Sequence, residues 1–357
     1  MKKKVTMSDI AAATGLSQSS VSLILSGKKN VSFAPETIAK VQAACQELGY
    51  QPPNTTMSHA DSKLIMIMSE NLTIPYYSSL AQQIENIALL NGYRSVICNT
   101  NRNEELELSY LNFAVRMNVS GIICLAYPHC PEKFNEISKT LPVIAVCDKT
   151  DNFSVDIVEM DNFQSSVLLI DHLVQLGHKK IMLLTASPDV NLGRHIRVKG
   201  LKHQMAQYGL KDSFFVRSKD VDWQSEMAGL VDDYSIGYEL MQDPSIFKTG
   251  ATAFIGMTDV IARGIADALI EQGKQIPKDY SICGYDNLLY ARLLPLSLTT
   301  VDPHINQKGR SAFELLQRQI SILNHNQNTH FQEARIKIEH PPVLVVRSST
   351  GPAPTAK

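Results

Sequence analysis

Near the start of the chain, short polar side chains stand at helical spacing. Gln18, Ser19 and Ser22 follow Ser17, with Thr6 before them and Lys28-Lys29 after. Amide and hydroxyl groups at the beginning of a short second helix are suited to base edges in the DNA major groove. Lysine ammonium groups, here Lys2 to Lys4 and Lys28-Lys29, are suited to phosphates. Thr6-Met7-Ser8-Asp9 has a capping pattern, with Thr6 at the cap and Asp9 in the first turn. Ala11 is small where two helices must cross closely. Gly15 supplies the positive φ of a tight interhelical turn. Ser17 caps the second helix, which runs from Gln18 to about Leu25. Val21 and Ile24 then face inward, and Gln18, Ser19 and Ser22 face out. The same residues would also build a small helical hairpin with an ordinary solvated face, and on their own they leave both readings open.

Charge favours the first reading. The 357 residues carry a net charge of −1, so the whole chain is no general nucleic-acid binder. Residues 1–60 carry six lysines against Asp9, Glu36 and Glu47, a local +3. A basic end on a neutral protein suggests a local polyanion-binding module. The six cysteines include no CxxC pair and sit mostly in apolar runs, as reduced core thiols do. No metal or cofactor is expected. Lys2–Lys4 resemble the charged start of an export signal, but Val5 to Asp9 is polar, so a cytoplasmic protein is expected. No apolar run reaches bilayer-spanning length, and no membrane partner is expected.

The elements that must carry these groups change along the chain. Residues 1–50 read as short helices around Ile10, Leu16, Val21, Ile24, Val31, Ile38, Val41 and Leu48. Residues 51–61, beginning Gln51-Pro52-Pro53-Asn54, read as a linker or hinge. From residue 62 onward, short apolar strands alternate with amphipathic helices. The strands are expected at Leu64–Met68, Ser95–Cys98, Gly121–Leu125, Pro142–Val146, Lys180–Leu184, Phe214–Arg217, Ala251–Ile255 and Tyr280–Gly284. Such alternation means a doubly wound parallel sheet, and its length supports two of them. Ser348–Lys357 is small, polar and Pro-rich, and reads as a disordered tail.

The motifs resemble those of the lactose-repressor/galactose-repressor (LacI/GalR) family of transcription regulators. The matching residues are Val5-Thr6-Met7-Ser8-Asp9-Ile10-Ala11, Gly15-Leu16-Ser17-Gln18-Ser19-Ser20-Val21-Ser22 and Leu48-Gly49-Tyr50. They continue through Leu176-Gly177-His178, Arg197-Val198-Lys199-Gly200, Ser281-Ile282-Cys283-Gly284-Tyr285-Asp286-Asn287 and Leu298-Thr299-Thr300-Val301. The resemblance covers nearly the whole chain. It implies a helix-turn-helix head on an α/β core of two Rossmann-like subdomains, as in periplasmic binding proteins, crossed three times by the chain. The N-subdomain would be about 62–160 and 291–324, and the C-subdomain about 161–290 and 325–347. It further implies a homodimer, or a dimer of dimers, on a pseudo-palindromic double-stranded operator, with a small-molecule effector between the subdomains.

The resemblance also marks the effector residues: Tyr76, Tyr77, Asp148, Arg197, Trp223, Thr258 and Asp286. Carboxylates and an arginine fork hydrogen-bond vicinal hydroxyls, and an indole covers the apolar face of a sugar ring. A flat purine would stack there too, so a sugar derivative and a nucleoside or purine both stay open. Thr258-Asp259 stands where the family often has Asn-Asp, which suggests a ligand unlike the common hexoses. Effector binding would close the core and change the spacing of the two DNA heads, most often in the service of repression.

The head departs from the family pattern at Leu23 and Ile38, where arginine is usual. The linker departs further. Pro53, Thr56 and His59 replace the usual Asn, Ala and Leu of a minor-groove-wedging hinge helix, leaving Met57 as the apolar side chain nearest the DNA. An enzyme is the first rival reading, but the chain has no P-loop, nucleophile elbow, HExxH or dinucleotide glycine fingerprint. The second rival, an exported sugar-binding protein, is opposed by the DNA head.

Overall fold

The computed structural model describes residues 5–26, 33–48, 50, 62–148, 150–187, 192–220, 232–293, 295–325 and 335–355. The chain divides into two compact units, Met1–Ser62 and Lys63–Lys357.

The first unit is three helices: α1 (Met7–Thr14), α2 (Gln18–Ser26) and α3 (Pro35–Leu48). Ile10, Val21 and Val41 are fully buried, one from each helix, with Ala11, Ala44 and Tyr50 around them. The expected cap is present. Asp9 Oδ2 accepts hydrogen bonds from the Thr6 amide and hydroxyl, each at 2.7 Å. Gly15, at φ 72°, ends α1 in the left-handed conformation that a side chain would disfavour. Ser17 Oγ accepts from the Ser20 amide at 3.1 Å and so starts α2.

The second unit alternates strands with helices. In chain order these are β1 (Leu64–Ser69), α4 (Pro75–Leu90), β2 (Arg94–Asn99), α5 (Glu104–Arg116), β3 (Gly121–Cys124), α6 (Pro131–Ile137), β4 (Val143–Ala145) and β5 (Asp156–Met160). Next come α7 (Asn162–Gln175), β6 (Ile181–Ala186), α8 (Leu192–Gln207), β7 (Phe214–Lys219), α9 (Asp233–Leu240), α10 (Ser245–Lys248), β8 (Ala253–Gly256) and α11 (Asp259–Glu271). The series ends with β9 (Ser281–Tyr285), α12 (Leu289–Arg292), β10 (Thr299–Asp302), α13 (Ile305–His325), β11 (Lys337–His340) and β12 (Val343–Val345).

Among the described residues they form two six-stranded sheets, ordered β11-β5-β4-β3-β1-β2 and β12-β10-β9-β8-β6-β7. All pairings are parallel except β10 with β12. Central strands such as β3, β6 and β8 are buried along their whole length. That burial on both faces explains why they read as unbroken apolar runs in the sequence. Each sheet has its own apolar core, one around Met66, Ile122 and Phe134, the other around Leu183, Phe254 and Ile265.

The structure corrects the subdomain limits. β10, within the expected N-subdomain stretch 291–324, pairs with β9 in the C-terminal sheet. β11, within the expected C-subdomain stretch 325–347, pairs with β5 in the N-terminal sheet. The later crossings therefore fall between Asp302 and Ile305 and between His340 and Val343. No shift in composition marks either place. The expected tail is also corrected. Ser349 is fully buried, donating to the Ile282 carbonyl at 2.6 Å and accepting from the Thr299 amide at 2.7 Å. The Ala353 amide donates to the Leu176 carbonyl at 2.8 Å. Small polar residues read as disorder in the sequence, but here they satisfy buried sheet-edge groups.

Candidate functional site

A cavity of about 100 Å³ lies where the C-terminal ends of strands from both sheets meet. The loops after β1, β3, β4 and β5 line it from one sheet, and those after β8 and β9 from the other. Open α/β sheets present their strand ends to ligands in this way.

Arg197 organises one wall. It lies in the second turn of α8. Its Nε donates to Asn162 Oδ1 at 2.8 Å and its Nη1 to the Met257 carbonyl at 3.2 Å. Its Nη2 stands 3.9 Å from Asp286 Oδ1. The guanidinium also lies over the Tyr285 ring at 4.3 Å, and the Tyr285 hydroxyl is hydrogen-bonded to Ser166 at 2.8 Å. An arginine held on three sides cannot swing away, so its direction is fixed before any ligand arrives.

The carboxylates are held as firmly. Asn162 Nδ2 donates to both oxygens of Asp148, at 2.8 and 3.0 Å, and so links Asp148 to Arg197. Asp286 follows β9 with φ at 107°, a conformation rare for a residue with a side chain. Burial pushes its carboxyl up to about 6. The Arg197 guanidinium pulls it back, and Asp233 pushes it further up. Behind it Asp259 is fully buried, accepting from the Thr300 hydroxyl at 2.5 Å and the Leu288 amide at 3.0 Å. Burial, then the nearby Asp286, raises the Asp259 carboxyl well above the usual range.

Of the sequence-marked residues, Tyr76, Tyr77, Asp148, Arg197, Thr258 and Asp286 line this one cavity. Thr258 and Tyr77 also spend their polar atoms on the protein. Thr258 caps α11, accepting from the Ile261 amide at 3.2 Å, and donates to Asp233 Oδ2 at 2.8 Å. Tyr77 donates to Glu70 Oε2 at 3.0 Å, which leaves its ring to the cavity. Burial, then Glu70, raises the Tyr77 hydroxyl well above its usual range. Trp223 lies outside the described residues.

On the first unit, Gln18, Ser19 and Ser22 are exposed on α2. The hydroxyls of Thr6 and Ser17 are engaged, with Asp9 and with Ser20 respectively. Lys28, Lys29 and Met57 lie outside the described residues, as does the hinge segment.

Comparison with known proteins fits both units. Residues 6–53 match the model for bacterial regulatory proteins of the lacI family, and residues 170–350 the model for the periplasmic binding protein-like domain. The chain belongs to the LacI family of regulators. It is 28% identical over 348 residues to the HTH-type transcriptional repressor PurR of Pasteurella multocida, covering 96% of this chain and 98% of that one. A LacI family regulator from Enterococcus faecium with bound ribose is 26% identical. It covers 81% of this chain and 99% of its own, with a TM-score of 0.68. The lac repressor dimer bound to operator, 23% identical, shares the fold over 98% of this chain and 100% of its own, with a TM-score of 0.67. The family consists of transcription regulators and not of enzymes. This LacI-family chain is therefore a DNA-binding transcription regulator with a small-molecule site. Among its described residues, no helix is long and apolar enough to cross a membrane. No group of three metal-ligating side chains occurs among them.

The LacI-family motifs did not point to Arg102, Asn162, Arg194 or Lys308, which also line the cavity. Two carried a readable signal. Arg194 precedes Arg197 by three residues, on the same helix face. Lys308 sits at the start of α13, where a cation is disfavoured by the helix dipole and needs a reason to be there. Arg102 and Asn162 carried none.

Proposed function

We propose that this regulator is a repressor, a homodimer on a pseudo-palindromic operator, whose grip on DNA is set by a sugar or sugar derivative in the cavity. One observation carries the ligand class. Arg197, Asn162 and Asp148 form one continuous hydrogen-bonded array, with Asp286 beside it, so donors and acceptors alternate around the cavity. Vicinal hydroxyls, each donor and acceptor at once, match such an array. Tyr76 and Tyr77 add ring surface for the less polar face of a sugar. The ribose bound by the Enterococcus faecium relative supports this class, and the repressor activity in the name of the Pasteurella relative supports the sign.

The array draws on both subdomains. Asp148 follows β4 of the first sheet, while Arg197 and Asp286 belong to the second. A ligand bridging them favours one relative setting of the subdomains. It shifts DNA affinity by its differential affinity for the two settings. A nucleoside or purine is the second reading, favoured by the paired tyrosine rings, which stand edge to face at 5.3 Å.

A thermal-shift screen of sugars, sugar derivatives, nucleosides and purines tests the choice, because a ligand of the folded state raises its stability. Stabilisation by a polyhydroxylated ring, lost in Arg197→Ala, is the expected result. Stabilisation by purines alone would replace this reading with the second.

A further inference from the structure

Four cations line the cavity: Arg102, Arg194, Arg197 and Lys308. The three arginines each have a carboxylate partner. Arg102 pairs with Glu70, Arg194 with Asp233 at 3.8 Å, and Arg197 with Asp286 at 3.9 Å. Lys308 has none. Its ammonium makes one side-chain hydrogen bond, to the neutral Tyr76 hydroxyl at 3.2 Å, and stands 5.7 Å from the Tyr76 ring centre. Among the described residues no carboxylate oxygen comes within 4.0 Å of it. Yet Lys308 is only 6% exposed.

An ammonium so buried, with three donors and one neutral acceptor, carries a desolvation cost that no carboxylate contact among the described residues offsets. Stability alone gives no reason to keep it there, since an apolar side chain of similar length would pack the same space. The carboxylates lining the cavity are engaged with groups other than Lys308. Glu159 is bound to Lys337. Both oxygens of Asp148 accept from the Asn162 amide nitrogen, and Asp286 faces Arg197.

We infer that the effector is an anionic sugar derivative whose single carboxylate or phosphate sits on Lys308, while its hydroxyls take the Arg197–Asn162–Asp148 array and Asp286. The inference rests on the sugar reading and narrows it. Lys308 is then the residue that selects charged over neutral ligands. It supplies a charge-assisted hydrogen bond from a largely buried position, where such bonds are stronger than in bulk water. Tyr76 holds the ammonium in place through a hydrogen bond between residues 232 positions apart.

The test is titration calorimetry on the full chain. The probes are common pentoses and hexoses, each beside its aldonate, uronate and monophosphate, with inorganic phosphate and purine nucleosides alongside. The tightest ligand is expected to be anionic, at least tenfold tighter than its neutral parent. Carboxylate and phosphate arms of the same sugar tell the two anions apart. Lys308→Met should remove that advantage, so that the anionic forms bind no more tightly than the neutral parent. Lys308→Gln, which keeps a donor to Tyr76, should do the same. A neutral sugar binding as tightly as its anionic forms would overturn the inference and leave the sugar reading standing. An anionic ligand held equally well by both Lys308 variants would overturn it too. Binding by purine nucleosides alone would overturn the sugar reading and this inference with it.

Discussion

Asn287 Nδ2 donates a 2.8 Å hydrogen bond to Asp302 Oδ2, tying the residue beside Asp286 to the place where the chain crosses between subdomains. Asp302 Oδ1 in turn accepts from the His304 amide at 2.7 Å, and Arg347 donates to Asn287 Oδ1. Asp286 and Asn287 both have positive φ, 107° and 46°. Two consecutive side-chain-bearing residues in this region store strain that their surroundings must hold. A ligand that pulls on Asp286 therefore pulls on a strained turn anchored at a crossing.

Asn287→Gly tests that link, because glycine keeps the left-handed backbone and removes the side-chain bonds. Effector binding is expected to change little. The effect of effector on operator affinity is expected to shrink by about 0.5–2 kcal/mol. Titrating operator binding with and without effector measures it. An unaltered response would show that the turn is only a local brace.

The buried Asp286 gives a pH signature. Its carboxyl is raised to about 6, so the folded state favours the protonated form. The stability this confers is complete below the ordinary aspartate range and is lost as pH rises through about 6. Asp286→Asn cannot titrate. Wild-type stability should thus fall relative to that variant between about pH 4 and pH 7, by up to about 3 kcal/mol for a shift of about two units. Urea unfolding of both proteins across that range reads the difference. A constant difference would mean that folding leaves the Asp286 carboxyl in its ordinary range.

The ordered C-terminal segment makes a plain stability prediction. Removing residues 348–357 strips the Thr299 amide of its bond to Ser349. It also takes the Gly351 carbonyl, at 3.1 Å, from the buried His178. Each buried polar group left unsatisfied costs about 1–3 kcal/mol, so a loss of at least about 3 kcal/mol is expected. An unchanged urea midpoint would return the segment to the status of a tail.

On the head, Gln18→Ala and Ser19→Ala should alter which operator is preferred, by about 1–3 kcal/mol at one base position. Binding-site selection on random DNA with each variant measures this. A loss spread evenly over all sequences would assign these side chains to the phosphate backbone.

Much of this molecule is legible in its residues, and what is hidden has a common cause. Runs such as Leu64–Met68 and Lys180–Leu184 announce central strands because strands buried on both faces have no polar alternation to lose. Thr6, Gly15 and Ser17 announce the head because caps and tight turns are local chemistry. Asp148, Arg197 and Asp286 were found through motifs. Asn162 is not legible, because it acquires its meaning from Asp148 and Arg197 on other elements, and Lys308 shows only as a cation at a helix start until Tyr76 is placed beside it. The same holds for Ser349, whose hydroxyl reads as disorder until Thr299 is placed beside it. The crossing after Asp302 is invisible because β10 and the start of α13 differ in their neighbours rather than in their composition.

The central claim is that a ligand held by Arg197 in the cavity sets the affinity of this regulator for DNA. The most direct measurement is operator affinity, with and without saturating effector, for the wild type and for Arg197→Ala. The wild type should change its affinity by about 5- to 150-fold. Arg197→Ala should bind operator as the wild type does without effector, and should show no change when effector is added. A variant that responds like the wild type, or a wild type whose operator affinity ignores a ligand bound in the cavity, would contradict the account.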